Sequence, residues 1–251
     1  MKQPILIFAA LLTLVTARMT RAATYYVDSK TGRDENPGTS ADKPWQTLEQ
    51  AGKAALQPGD RLLFRAGREW KGTLTLNAQG RKKQRIVIGK YGDGNLPRID
   101  GGGARRAVRL VNTAYLTVEN LEITNPGKQD GKTLRSGVDL FWSREWEWAS
   151  SQTAEDDSPV QPGHVLLRGL FVHDVHGVVT RRTKPSFYAN SGIHMVNRSK
   201  YDVQHVRVDG CRFIDIHGVG CRFIGGYRRK GKDAMRSSHF AFSNNEIRRT
   251  G

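Results

Sequence analysis

Four stretches of the sequence decide its fold, and the first is Tyr115-Leu116-Thr117-Val118-Glu119-Asn120-Leu121-Glu122-Ile123-Thr124-Asn125. The other copies occupy positions 165–174, 206–215 and 240–249. Aligned, all four share one pattern: an apolar residue, any residue, Asn or Gly, two residues of any kind, and a second apolar residue. Short apolar runs of this kind predict strands. Because one such unit cannot bury its apolar side alone, the copies are expected to stack as a solenoid.

A second strand is predicted after each of the first three copies, at 136–140, 191–195 and 219–223. Equivalent residues of successive copies are 49, 41 and 34 positions apart, which indicates insertions of variable length on one side of the coils. Further strands are predicted at 61–64, 72–76, 85–88 and 107–111, and the 27 glycines supply turns between strands. A helix is predicted over 47–56. An antiparallel sandwich is the alternative architecture.

The N-terminus predicts an exported protein. Lys2 precedes an apolar run over 5–16, and positions 18–23 end in small residues typical of a cleavage site. The run is too short for a membrane anchor, which needs about 20 apolar residues. We therefore expect a signal peptide over 1–22, a mature start at Ala23 or Thr24, and a secreted or periplasmic domain over 23–251. An N-terminal core helix is the alternative.

The charge predicts an acidic partner. The formal net charge is +16, and loss of Lys2, Arg18 and Arg21 with the signal peptide leaves +16 − 3 = +13. Export favours an acidic polysaccharide over nucleic acid as that partner, and we expect a monomer without a membrane anchor. The two cysteines, Cys211 and Cys221, exclude a disulfide scaffold, and two buried free thiols are favoured over a bridge.

The N-terminal part of the predicted domain carries a set of short motifs: Tyr25-Tyr26-Val27-Asp28, Asp34-Glu35-Asn36-Pro37-Gly38-Thr39, Pro44-Trp45-Gln46-Thr47-Leu48, Pro58-Gly59-Asp60 and Gly67-Arg68-Glu69-Trp70. Together they resemble the start of secreted right-handed parallel β-helix proteins of the pectate-lyase-like superfamily. The resemblance implies an all-β right-handed parallel β-helix with a short N-terminal capping helix, and action on a polysaccharide. One departure is that the sequence stops directly after a repeat strand, without a polar terminal cap, so the domain is expected to be truncated there.

The second strands predict a row of polar side chains. Their alternation turns Asp139, His194 and Arg222 outward, one strand spacing apart if the coils are consecutive. In such a row His194 would exchange a proton near neutral pH, Asp139 would orient it and Arg222 would bind a substrate carboxylate. The alternative is an ordinary charged surface.

A second group pairs His173-Asp174-Val175-His176 with Asp215-Ile216-His217 in consecutive copies. Stacked Asp174 and Asp215 suit an acid/base pair or a Ca²⁺ site completed by Asp202 or Asp209, and His176 and His217 suit a transition metal. A turn ladder is the structural alternative. Ca²⁺ at this group, or at Asp34 and Asn36, is the one cofactor that the sequence suggests; no metal ligand set is assigned.

The insertions predict a glycan-binding groove with aromatic and basic walls, because flat aromatic faces and arginines suit an acidic sugar chain. Its candidate residues are Trp142, Arg144, Trp146, Trp148, Arg181, Arg182, Tyr188, Arg228 and Arg229. The sequence thus favours a polysaccharide lyase or glycoside hydrolase of an acidic glycan. A non-catalytic glycan-binding or adhesion solenoid is the competing class, and an epimerase on the same scaffold is the third.

Overall fold

The structure is a computed structural model, and it describes residues 22–128, 132–143, 162–178, 190–199, 201–224 and 238–251. It contains one short helix, α1 (Leu48–Gly52), within these residues. The strands are β1 Thr24–Val27, β2 Arg61–Arg65, β3 Glu69–Lys71, β4 Leu74–Leu76, β5 Ile86–Tyr91, β6 Arg98–Asp100, β7 Arg106–Val111, β8 Leu116–Glu119, β9 Glu122–Asn125, β10 Ser136–Trp142, β11 Leu166–Arg168, β12 Phe171–Val175, β13 Ser191–Asn197, β14 Arg207–Asp209, β15 Arg212–Ile216, β16 Val219–Ile224, β17 Ala241–Ser243 and β18 Glu246–Thr250.

The strands form three parallel sheets that surround one core. Sheet A has the order β1-β2-β5-β8-β11-β14-β17, sheet B has β18-β15-β12-β9-β6-β3, and sheet C has β16-β13-β10-β7-β4. In the part of the chain that the structure describes, each of five successive coils therefore supplies one strand to each sheet. This arrangement is a parallel β-helix, so the predicted fold class is confirmed and the sandwich is excluded.

The Asn or Gly of the repeat marks the corner between sheets A and B. Asn120, Gly169, Gly210 and Asn244 have φ values of 55°, 58°, 61° and 57°. This left-handed region is open to Gly and tolerated by Asn, whereas most other residues are strained there. The repeated pattern in the sequence is therefore a repeated backbone corner.

The N-terminal helix is shorter than predicted. It begins after Thr47, whose side chain accepts a hydrogen bond from the Gln50 amide, and it ends at Gly52 rather than at 56. A Cβ at Gly52 would lie 2.8 Å from the Thr75 carbonyl oxygen, so the helix packs closely on β4. Within the described residues, no helix is long and apolar enough to cross a membrane.

Four stacked aromatic rings form a ladder, and each lies shortly before a strand of sheet A in one of four successive coils. Tyr115 stacks on His164 at 4.3 Å between ring centroids, His164 on His205 at 4.6 Å, and His205 on His239 at 4.4 Å. Burial, the neighbouring His205 and the cation of Arg85 lower the pKa of His164 to about 4. The ladder is thus built around an imidazole that stays neutral at physiological pH.

Acid is expected to destabilise the protein through His164. The unfolded chain protonates this residue near pH 6.5 but the folded chain only near 4, so its contribution is intact above pH 6.5 and is lost as the pH falls toward 4. Discounted for solvent screening, the loss from pH 7 to 5 is about 1 kcal/mol. His164→Phe keeps an aromatic ring at this position of the ladder, as Tyr115 does in the preceding coil. The substitution should reduce the fall in melting temperature over this pH range. An unchanged fall would contradict the assignment.

Candidate functional site

The polar row predicted on the second strands exists as a register of sheet C. Asp139 of β10 pairs with His194 of β13, and His194 pairs with Arg222 of β16. Their inward neighbours Val138 and Ile193 are completely buried, as the alternation requires. Neighbouring parallel strands lie about 4.8 Å apart, so the three backbones are consecutive rungs on the outer face of sheet C.

Asp139 and His194 form a hydrogen-bonded pair. The His194 Nδ1 atom lies 2.9 Å from Asp139 Oδ1. An ionised carboxylate only accepts, so Nδ1 donates this hydrogen bond, and in the neutral tautomer that does so the lone pair lies on Nε2. Among the described residues, Nε2 has no hydrogen-bond partner. The arrangement leaves His194 with one oriented nitrogen and one available for proton transfer.

His194 points outward as predicted, but it is not exposed to solvent as an outward side chain was expected to be. The residue is only 9% exposed, and Asp139 is completely buried. The alternation of the strand fixed the outward direction correctly, but the arginines beside the pair and the packing around it remove most of the solvent. A buried polar atom without a hydrogen bond lowers the free energy of unfolding, so the position of Nε2 is expected to cost the protein some stability.

Two arginines of the preceding coil complete the cluster, and both were missed as site residues in the sequence. Arg109 of β7 is in register with Asp139, with its Nε 3.8 Å from Asp139 Oδ2. Arg106 Nε approaches the same oxygen to 2.6 Å, as an ion pair whose N–H is not aligned for a hydrogen bond. Arg109 occupies the same outward position in its strand as Asp139, so the alternation alone was the signal that identifies it. We call Arg106, Arg109, Asp139 and His194 the sheet C cluster.

The two acids of the second predicted group have different partners. Asp174 Oδ2 lies 2.7 Å from His173 Nδ1, whereas Asp215 forms an ion pair with Arg249, whose Nη2 lies 2.6 Å from Oδ2. The hydrogen bonds from Arg249 lower the pKa of Asp215. Each acid therefore has a basic partner of its own, and the roles of Asp174 and Asp215 as an acid/base pair or as Ca²⁺ ligands stay predictions.

The paired histidines of this group stack on one another. The rings of His176 and His217 lie 4.5 Å apart between centroids and are inclined by 23°. Burial, followed by the charge of His217, lowers the pKa of His176. His217 Nδ1 lies 3.4 Å from the Gly177 carbonyl oxygen. These contacts fit the turn ladder that was the structural alternative.

The acids proposed for Ca²⁺ have structural contacts. Asp34 accepts hydrogen bonds from the amides of Gln46 and Thr47 and from the Thr47 hydroxyl, at 2.6–3.0 Å. Burial raises the pKa of Asp34, but these hydrogen bonds outweigh it and lower the pKa below its ordinary value. Asp209 accepts from Ser243 and Asn244. Among the described residues, no group of three or more His, Cys, Asp or Glu side chains is arranged to hold a metal ion.

The prediction that Trp142 contacts substrate is wrong. Strand β10 continues to this residue and turns its ring inward, where it is completely buried and its Nε1 donates to the Thr113 carbonyl at 2.9 Å. The other predicted groove residues lie outside the described residues: Arg144, Trp146, Trp148, Arg181, Arg182, Tyr188, Arg228 and Arg229. In the chain, their segments adjoin β10, β13 and β16, which are all strands of sheet C. Cys211 and Cys221 are free thiols, the first buried and the second partly exposed.

Comparison with known proteins finds lacto-N-biosidases. No protein-family model matches the chain. A lacto-N-biosidase from Bifidobacterium longum subsp. longum is 26% identical over 220 residues, which cover 69% of this chain and 13% of that protein.

Comparison with solved structures also finds a lacto-N-biosidase. The native crystal structure of GH136 lacto-N-biosidase from Eubacterium ramulus is 28% identical to this chain, with a TM-score of 0.66 over 91% of this chain and 41% of that one. Its selenomethionine derivative gives 26% identity and the same TM-score over 93% and 42%. The chain spans less than half the length of these relatives. The structural similarity shows that the parallel β-helix of this chain is a fold that carbohydrate-active enzymes also use.

Proposed function

We propose that this protein is an exported glycan-cleaving enzyme that acts on the outer face of sheet C, with hydrolysis as its reaction. The observation that carries the proposal is the Asp139–His194 pair, in which one ring nitrogen is oriented and the other has no hydrogen-bond partner among the described residues. The pair lies on a β-helix that resembles lacto-N-biosidases over more than nine-tenths of this chain. The similarity to these enzymes supports hydrolysis over the other chemistries of glycan cleavage.

Each member of the sheet C cluster has a distinct task in this proposal. Glycoside hydrolysis needs a group that protonates the leaving oxygen and one that activates water or attacks the sugar. His194 Nε2 exchanges the proton. Asp139 is occupied by His194 and Arg106, so it acts as a positioning residue that holds the imidazole in one tautomer.

The arginines favour a glycan that carries acidic groups. The Arg106 and Arg109 side chains are 26% and 38% exposed, and among the described residues both form their ion pairs with the same single carboxylate, Asp139. With Arg222 two rungs away from Asp139, the row carries more positive than negative charge. A guanidinium group binds a carboxylate or sulfate with two parallel hydrogen bonds.

The same cluster also supports elimination as a second candidate reaction. A lyase needs cations to neutralise a uronate and one base to remove the adjacent proton. The sheet C cluster supplies both, whereas hydrolysis by two carboxylates needs two acids other than Asp139, which serves here as a positioning residue. A lyase of polyuronates is therefore retained beside the hydrolase.

The test uses three substrates with the full chain: polygalacturonate, a neutral β-glucan and a chromogenic lacto-N-bioside. New reducing ends report either cleavage reaction, and absorbance of an unsaturated product reports elimination alone. We expect cleavage and tighter binding of the acidic polymer, with affinity falling as salt rises because exposed charges are screened beyond roughly 8 Å. Equal, salt-independent binding of both polymers would contradict the acidic substrate.

Binding without cleavage is the outcome that would favour a non-catalytic solenoid. The deep burial of Asp139 and His194 is the observation on its side, because a reacting group must reach its substrate. If polygalacturonate binds but none of the three substrates is cleaved, the enzyme proposal fails and the glycan-binding class replaces it.

A further inference from the structure

Asp60 is a buried carboxylate that has no cationic partner among the described residues. It is 3% exposed and lies in the turn that leads into β2. Its Oδ1 accepts from the Ala23 amide at 2.7 Å and its Oδ2 from the Gln57 amide at 2.8 Å. Buried carboxylates usually have a cation beside them, because two neutral amides replace only part of the lost hydration.

The Ala23 amide belongs to the first residue before β1. Ala22 is exposed, and Ala23 is already fixed in the fold, since its carbonyl accepts from the Arg61 amide at 2.9 Å. The bond between Ala22 and Ala23 therefore joins a solvent-exposed residue to the ordered domain. The small residues at this point are also those of the predicted cleavage site.

We propose that the chain is processed between Ala22 and Ala23, and that the new α-ammonium group of Ala23 forms a buried ion pair with Asp60. The step is a hydrolysis by the peptidase of the export pathway, with one water as co-reactant. The C–N bond breaks, the Ala22 carbonyl carbon takes the hydroxide, and the Ala23 nitrogen takes a proton to become an amine. At neutral pH this amine binds a second proton from solvent and so becomes a cation.

The contacts of the folded domain fit cleavage at this bond better than cleavage at the next one. Cleavage after Ala23 would remove the donor to Asp60 Oδ1 and the carbonyl that accepts from Arg61. Cleavage before Ala23 keeps both contacts and changes a neutral donor into a charged one, which makes a stronger hydrogen bond to a carboxylate. Processing thus supplies the missing cation and ties β1 to β2.

The pH dependence has a definite sign. Pairing with a carboxylate raises the pKa of an α-amine above its ordinary value of about 7.7–8.0. Stability from the pair is therefore complete below that value and is lost as the pH rises through the folded pKa. The elements packed around the pair carry Tyr25 on β1, Arg61 on β2, and Lys82, Lys83 and Arg85 in and after the turn whose Gln84 carbonyl accepts from the Gly59 amide at 2.9 Å. Burial, followed by the charge of Asp60, raises the pKa of Tyr25, so its phenol stays neutral in this range.

The first experiment locates the cut. The full 251-residue chain is exported from a bacterial host and its intact mass is measured. We expect a protein that begins at Ala23; a start at Thr24 or a retained Met1 would overturn the site.

The second experiment measures the ion pair. The melting temperature of the exported protein is compared with that of the same protein carrying one acetyl group, located at Ala23 by mass spectrometry. We expect the free amine to melt about 3–8 °C higher at pH 6.5, and the gap to close by pH 10. The gap should vanish in Asp60→Asn and persist in Asp42→Asn, which removes an exposed carboxylate. Equal melting temperatures of the free and acetylated wild type would overturn the pair, whichever way Asp60→Asn folds.

Discussion

Replacing Trp142 by alanine is expected to lower the free energy of unfolding by about 3–5 kcal/mol and to leave glycan affinity per folded molecule unchanged. The ring is completely buried in the core, so its loss leaves a large cavity. The Thr113 carbonyl also loses its hydrogen bond from Nε1. Thermal or urea unfolding measures the change in stability, and titration of the folded fraction with polygalacturonate measures binding.

Trp142→Phe is the matched variant for this experiment. It keeps most of the apolar volume and removes the Nε1 donor, so we expect a loss of about 1–2 kcal/mol. A groove residue would behave in the opposite way, because a solvent-facing ring contributes little to folding. Normal stability of Trp142→Ala together with weaker glycan binding would therefore contradict the core role of Trp142 and support its original assignment to the groove.

Replacing His194 by asparagine is expected to reduce turnover by about 10²- to 10⁴-fold while the protein stays folded. The asparagine Nδ2 can take the place of the imidazole Nδ1 and donate to Asp139, so the buried carboxylate keeps its partner. The substitution removes only the nitrogen that we assign to proton transfer. Alanine is the poorer test, because it would leave Asp139 Oδ1 without the hydrogen bond that it accepts at 2.9 Å.

His239→Asn is the control for this substitution. It makes the same chemical change in an exposed histidine at the end of the aromatic ladder, with a φ of 61° that asparagine tolerates well. Turnover on the best substrate and melting temperature are measured for both variants. Near-wild-type turnover of a well-folded His194→Asn would remove His194 from the mechanism and direct attention to Asp174, Asp215 and His217.

The repeat pattern was sufficient to predict the solenoid because it encodes local and repeated requirements. Apolar side chains such as Val118 and Leu167 must face the core in every coil, and the left-handed corners at Asn120 and Gly169 admit few residue types. The register of Asp139, His194 and Arg222 follows from the same alternation, since parallel coils place equivalent positions side by side. The sequence by itself therefore determined the fold and the direction in which these side chains point.

The environment of those side chains was decided only by the tertiary structure. Burial depends on what neighbouring coils place beside a residue. The alternation puts Arg109 in the same row as Asp139, but it could not show that Arg106 would also reach this carboxylate or that the carboxylate would be buried. It also could not show that β10 would continue to Trp142 and carry this ring into the core. Stacked acids such as Asp174 and Asp215 looked alike in sequence, but residues distant along the chain, such as Arg249, gave them different partners. Alternation is a property of one strand, whereas solvent exposure and ion pairing are properties of the assembled coils.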